Sequence, residues 1–305
     1  MEKKMLRILI AYDGSEMAQN AVQYIAEYLP EKQTEVVLLY IQTEVPDAFW
    51  NMEKEMDFRY KSSDIRACIA TQHIKINECM GKATRILMDA GFPEGSINKK
   101  IQIKKVGIAR DIIKESQNGY DAVVIGRNGD NKLKDILVGS IPSKLLGKIQ
   151  GIPLIVVGGA PKKKKILVAF DGSKEVMRGV KHLSRIMCAS DCKMTLCHVV
   201  RSQSIFQKGD EKQWQESEQK RMEPLITESK QHLVDAGFPF NQITCEVIRN
   251  KVSRASGIIE KAMEDNYGTI VIGRRGLTII KEFFLGRVGK KIFQLAGDLT
   301  VWIVR

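Results

Sequence analysis

Proline is scarce in this 305-residue chain, at 8 residues, as are histidine, at 4, and tryptophan, at 3. So few prolines beside 44% hydrophobic and 28% charged residues exclude a disordered, low-complexity polypeptide and leave a globular one. Long apolar stretches are missing: each Val/Ile/Leu-rich run is about five residues, against the roughly 20 that a membrane helix needs. The opening MEKKMLRILIAYDGS contains one such run, which ends at Asp13 and does not fit a signal peptide. Six cysteines, at 68, 79, 188, 192, 197 and 245, lack the dense spacing of a disulfide scaffold, so a reducing cytoplasm is expected. None of His73, His182, His198 and His232 has a metal-like i, i+4 partner, and Cys188, Cys192 and Cys197 do not have a zinc spacing, so no metal site is expected. Zinc-finger spacing and an aromatic RNP-type strand are absent too, and nothing else argues for nucleic acid. Neither G-x4-G-K-[ST] nor a G-x-G-x-x-G directly after the first strand occurs, so neither a P-loop NTPase nor a Rossmann oxidoreductase is indicated.

What the chain has is positive charge and a repeat. Lysine and arginine number 48 against 36 acidic residues, a net charge of +12 that helps any polyanion approach. The length suggests two domains of roughly 100–200 residues, and internal similarity supports this. Ile8-Leu9-Ile10-Ala11-Tyr12-Asp13-Gly14-Ser15 returns as Ile166-Leu167-Val168-Ala169-Phe170-Asp171-Gly172-Ser173. Asp89-Ala90-Gly91-Phe92-Pro93 returns as residues 235–239, and Val124-Ile125-Gly126-Arg127-Asn128-Gly129 as Val271-Ile272-Gly273-Arg274-Arg275-Gly276. Order is kept throughout, so the chain reads as a duplication with domains 1–160 and 161–305. Gly158-Gly159-Ala160-Pro161 and the lysines 162–165 read as the linker, solvated rather than ligand-binding.

Within each copy, short continuous apolar runs alternate with amphipathic stretches, the pattern of buried parallel strands joined by crossover helices. Strands are predicted near 6–12, 35–41, 99–105, 121–126 and 153–157, then near 165–170, 193–199, 243–248, 268–273 and 300–304. Helices are predicted at 15–29, up to Ala90, at 107–118 and at 140–150. The α/β doubly wound class follows. Segments 43–80 and 201–230 mix charge, Met and aromatics and read as a connection able to serve as a lid or partner surface before becoming helix.

Ligands of such sheets bind beyond the carboxyl ends of the strands, where strand order reverses. There the first half brings Ala11-Tyr12-Asp13-Gly14-Ser15 and Gly126-Arg127-Asn128-Gly129, with Gly139-Ser140 nine residues further on. Glycines remove side chains where main-chain N–H groups could approach phosphate oxygens, and Ser140 opens a helix whose free N–H groups favour an anion. Each piece also has a plain structural reading: glycines make turns, and Ser140 or Asp13 can cap a helix. The nine-residue gap strengthens the ligand reading, because it occurs twice, ending at Gly139 and at Gly286.

A-x-D-G-S on the first strand and G-x2-G-x9-G-S before the last helix resemble the universal stress protein family in its tandem, two-domain form. The resemblance covers the chain apart from the linker and the segments 43–80 and 201–230. It implies a Rossmann-like, adenine nucleotide alpha hydrolase-like domain in each half, with strand order 3-2-1-4-5. As in ATP-binding members, an adenine nucleotide would lie across the strand ends. Ala11, Tyr12 and Asp13 would then face the adenosine, and Ile41 would offer main-chain contacts to adenine. Gly126, Gly129, Gly139 and Ser140, with Ile141, would hold the phosphates, and Arg127 would neighbour the same anion. The second copy keeps Asp171, Gly273, Gly276 and Gly286 but has Arg287 in place of Ser or Thr. A bulky side chain there is expected to weaken ATP binding by blocking the phosphate seat, although a guanidinium could also pair with it.

Enzymes of the wider fold group that split ATP at the α-phosphate carry an S-G-G-x-D-S turn, whereas this turn reads Ala-Tyr-Asp-Gly-Ser. The resemblance therefore implies a module binding ATP, with Mg2+, or AMP or ADP, acting in stress response or signalling on an unnamed protein partner. A slow ATPase or phosphotransferase, or an adaptor with both seats vacant, stay open. Because unpaired sheet edges are a liability, Leu154–Val157 and Val301–Val304 are predicted to pair within the chain about a pseudo-twofold, with a further homodimer left open.

Overall fold

The computed structural model describes residues 5–43, 59–127, 140–161, 164–187, 191–201, 211–274 and 286–304. The first half runs β1 (Leu6–Ala11), α1 (Glu16–Tyr28), β2 (Thr34–Gln42), α2 (Arg59–Asp89), β3 (Ile97–Ile103), α3 (Ile108–Glu115), β4 (Ala122–Gly126), α4 (Ser140–Leu145) and β5 (Leu154–Val157). The second repeats it as β6 (Lys165–Ala169), α5 (Lys174–Met187), β7 (Lys193–Arg201), α6 (Glu211–Asp235), β8 (Ile243–Lys251), α7 (Arg254–Glu264), β9 (Thr269–Gly273), α8 (Arg287–Leu295) and β10 (Thr300–Val304).

The strands form one ten-stranded sheet of order β3-β2-β1-β4-β5-β10-β9-β6-β7-β8. Each half has the order 3-2-1-4-5 with parallel neighbours, and the halves meet where β5 and β10 pair antiparallel, Val156 opposite Val301 and Leu154 opposite Ile303. The expected pairing of the last strands is thus present. Apolar runs without alternation suit this sheet, because both faces are covered: α1, α2, α5 and α6 pack on one side and α3, α4, α7 and α8 on the other.

Two repeated motifs have local physical causes. Ser15 caps α1, its hydroxyl accepting from the Ala18 amide at 3.2 Å, and Gly14 before it sits at φ +83°, where a side chain would meet Cys79. In Asp89-Ala90-Gly91-Phe92-Pro93, Gly91 at φ +95° donates to the Met88 carbonyl and the Phe92 amide reaches back to Leu87. That is a Schellman helix end, and Gly237 and Phe238 repeat it on Val234 and Leu233. The expected helix 140–150 stops at Leu145 and continues as turns, with Gly147 in the broken stretch. Segments 44–58 and 202–210, where a lid or partner surface was expected, lie outside the described residues.

The stretch read as a linker is partly a contact. A Cβ on Gly158 would lie 2.4 Å from the Gly297 carbonyl oxygen, so the chain passes against the other half here and only glycine fits. Lys164 pairs with Asp191 at 2.7 Å, and Lys165 already belongs to β6, its ammonium bonded to the Asp265 carbonyl and lying over the Tyr267 ring.

Side chains also cross the junction. Trp302 on β10 is fully buried and donates from Nε1 to the Tyr24 hydroxyl of α1 at 2.9 Å, which lies 2.9 Å from the Thr269 hydroxyl of β9. Tyr24 stacks on Tyr28 with ring centroids 4.2 Å apart. Asp121, before β4, accepts from the Arg7 amide and pairs with Arg185 of α5. Truncating Trp302 removes buried area and the donor together. Trp302→Ala should lower unfolding free energy by about 3–5 kcal/mol in urea titration, and a loss under about 1 kcal/mol would contradict a shared core.

Candidate functional site

Each half has a cavity at the carboxyl ends of its strands, at the switch between the first and fourth strand of the half. The first, about 130 Å3, is walled by Ala11, Tyr12 and Asp13 of the first turn, by Leu39 and Ile41 of β2, by Ile108 and Ile112 of α3, and by Ile125, Gly126, Ile141 and Pro142. Six of the sequence-selected residues therefore meet around one space, Ala11, Tyr12, Asp13, Ile41, Gly126 and Ile141, while Ser140 opens α4 just before Ile141. The walls are almost wholly apolar, with Asp13 and Ser15 the polar exceptions. Gly129 and Gly139 lie outside the described residues, as does Gly276 of the second half.

Several of these residues have structural duties. Asp13 is exposed, and its Oδ1 accepts from the Ser15 amide at 3.0 Å and the Ser15 hydroxyl at 2.6 Å, an Asx turn that starts α1. Asp171 repeats the amide contact with Ser173 at 2.9 Å. The phenol of Tyr12 points away into the core and donates to the Cys79 carbonyl, and burial pushes its pKa up to about 12. Gly126 and Gly273 are required by helix packing: a Cβ would come within 2.7 Å of the Met17 main chain in one and 3.0 Å of the Val176 amide in the other.

Arg127 is a correction to the sequence reading. Expected beside the phosphates, its side chain is instead buried at 5% exposure in the domain junction, with Nη1 donating to the Phe293 carbonyl at 2.6 Å and Nη2 to the Leu299 carbonyl at 3.1 Å. It also lies 4.9 Å from the Phe293 ring centroid. Burial lowers its pKa to about 10, partly offset by Asp298, so it stays cationic at neutral pH. The main-chain carbonyls near the end of α8 are natural partners for a buried cation. The repeat conceals this, because a cation after β4 serves a phosphate or a junction equally well on paper.

The second cavity is the larger, about 360 Å3. Its walls include Ala169, Phe170, Asp171, Gly273, Gly286, Ile258 and Ile292, together with Arg201, Arg254, Arg287 and His198. Arg287 has an exposed side chain and lines this cavity. Arg201 and Arg254 escape motif reading because they lie outside the glycine motifs. Aligning Val106-Gly107-Ile108-Ala109 with Val252-Ser253-Arg254-Ala255 would have exposed the second. Among the described residues no three metal-ligating side chains gather, and no helix is long and apolar enough to cross a membrane.

Two doubly wound domains, fused edge to edge and each hollowed at its switch point, define a tandem α/β protein. The model of the universal stress protein family matches residues 5–158 and again 163–305, and the chain belongs to that family as its tandem two-domain form. A universal stress protein from Archaeoglobus fulgidus superposes with a TM-score of 0.59 at 19% identity, covering 97% of both chains. A putative universal stress protein from Pseudomonas aeruginosa gives 0.58 at 16%, covering 99% of this chain and 93% of the other. A further universal stress protein, solved in complex with cAMP, is 20% identical over 48% of this chain and 98% of its own, with a TM-score of 0.35. No curated protein matches.

Arg127→Ala should cost about 2 kcal/mol or more, because two buried carbonyls lose their donor, while any ligand titrated into the first cavity should bind within about twofold of its affinity for the parent chain, well under the tenfold that 1.4 kcal/mol represents. Calorimetry and urea unfolding of the same variant separate the two, and a large loss of affinity at unchanged stability would return Arg127 to the site.

Proposed function

We propose that the protein is an adenine-nucleotide-binding module of the stress-response or signalling type, working in the cytoplasm, with ATP and Mg2+ held in the first domain and AMP or ADP as lesser ligands. One observation carries this reading: the two sequence motifs, far apart in the chain, supply opposite walls of the same cavity, Ala11–Asp13 on one side and Gly126 and Ile141 on the other. Its isoleucine walls suit a flat, weakly polar base. At about 130 Å3 the described walls fall short of the roughly 300 Å3 of a typical small-molecule site. The phosphates would extend beyond them, toward Gly129 and Gly139.

Tight binding with little turnover is the expected chemistry, and occupancy would act through the surface offered to a protein partner. Mass spectrometry of small molecules released from the purified full chain should find an adenine nucleotide. Gly129→Val should abolish its copurification and reduce ATP affinity at least tenfold, about 1.4 kcal/mol. Sustained ATP turnover that Asp13→Ala removes would support a slow ATPase instead. Absence of any bound or titratable adenine nucleotide would leave an adaptor.

A further inference from the structure

The two cavities are equivalent in topology and opposite in charge. The amide of Tyr12 bonds the Leu39 carbonyl and the amide of Phe170 bonds that of Cys197, both at 2.8 Å, which sets the halves in register. In that register Thr43 corresponds to Arg201, Ile108 to Arg254 and Ser140 to Arg287. Asp111, whose carboxylate accepts from the amides of Lys105 and Val106 before α3, corresponds to Gly257. The second cavity thus gains three guanidinium groups and loses a nearby carboxylate.

Arg254 and Arg287 occupy the first positions of α7 and α8. A cation at a helix N-terminus faces the positive end of the macrodipole and is unfavourable there. Two such residues on neighbouring helices, with Arg201 beside them, concentrate like charge that an anion among them would relieve. The local carboxylates do not supply enough. Asp171 lines the cavity and its Oδ1 holds the Ser173 amide, while Glu218 of α6 is held below the usual carboxylate range by Arg221, which it binds bidentately. His198, at 2% exposure, lines the same cavity: its Nδ1 donates to the Phe170 carbonyl at 2.8 Å, and its Nε2 has no hydrogen-bond partner, with Glu218 Oε1 at 3.6 Å.

The arginines also stand apart. Arg254 Nε donates to the Val199 carbonyl at 3.3 Å, which fixes that side chain on the β7 side together with Arg201. Arg287 rises from the segment after β9, and β7 and β9 flank β6, roughly 10 Å apart at the spacing of strands. Between them lie Ala169, Phe170, Ile258 and Ile292, which give the middle of the cavity an apolar floor.

We propose that the second domain's cavity binds a small molecule carrying two separated phosphate groups, one held by Arg287 and the other by Arg201 and Arg254, with its least polar part against the apolar floor. The proposal concerns this cavity alone, so it stands or falls separately from ATP binding in the first. Isothermal titration of the full chain with adenosine 3′,5′-bisphosphate, AMP and adenosine tests it. The bisphosphate should bind at least tenfold more tightly than AMP, with an affinity that falls as ionic strength rises.

Arg254→Ile and Arg287→Ser install the residues that the first domain carries at these positions. Each should weaken the bisphosphate about tenfold or more, the worth of a charge-assisted hydrogen bond, while the ligand-free variant unfolds at a temperature no lower than the parent chain, because a cation leaves a helix N-terminus. Gly129→Val should leave bisphosphate binding intact. Bisphosphate binding no tighter than AMP, or affinity unaffected by both arginine substitutions in folded protein, would overturn the proposal. Loss of bisphosphate binding in Gly129→Val alone would move the ligand to the first domain and overturn it equally.

Discussion

The antiparallel seam between β5 and β10 is the interaction on which the rest of the structure depends. Each half taken alone would end in an edge strand with four buried apolar residues in a row, Leu154–Val157 or Val301–Val304. Such an edge exposes a row of main-chain donors and acceptors and invites aggregation. Pairing the two edges satisfies both and commits everything around them. Trp302 and Tyr24 complete a core that belongs to neither half, Gly158 must be small, and the cation at Arg127 is drawn to carbonyls across the boundary.

Arg127 also ties the seam to the sites. It follows Gly126 in the wall of the first cavity and grips the carbonyl of Phe293 near the end of α8, whose other end begins at Arg287 in the second cavity. One rigid helix and one buried guanidinium therefore bridge the two hollows. Occupancy of one site can bias the other only through elements with two arrangements, and this is a short physical route for such an effect.

Most of the fold was legible in the sequence. The near-exact return of Ile8–Ser15 at Ile166–Ser173 fixed the duplication, continuous Val/Ile runs marked strands covered on both faces, and the apolar last strands announced their pairing. The candidate site was legible only in part. Ala11, Asp13, Ile41 and Ile141 were found because their motifs lie at strand ends, and the structure brings them to one cavity. Arg127 was misread because a phosphate cradle and a buried junction ask for the same residue type; only the position of Phe293, far away in sequence, decides between them. The charge of the second cavity went unseen for a related reason. It is spread over β7, α7 and α8, at positions that no short motif joins.

The reversal of direction at the seam has a consequence for how the molecule meets its surroundings. Ligands sit at the carboxyl ends of parallel strands, and across the seam those ends point opposite ways. The two hollows therefore open on opposite rims of one slab, back to back. A macromolecule that approaches one rim can reach only one of them, so the two hollows are separated in space as well as in charge.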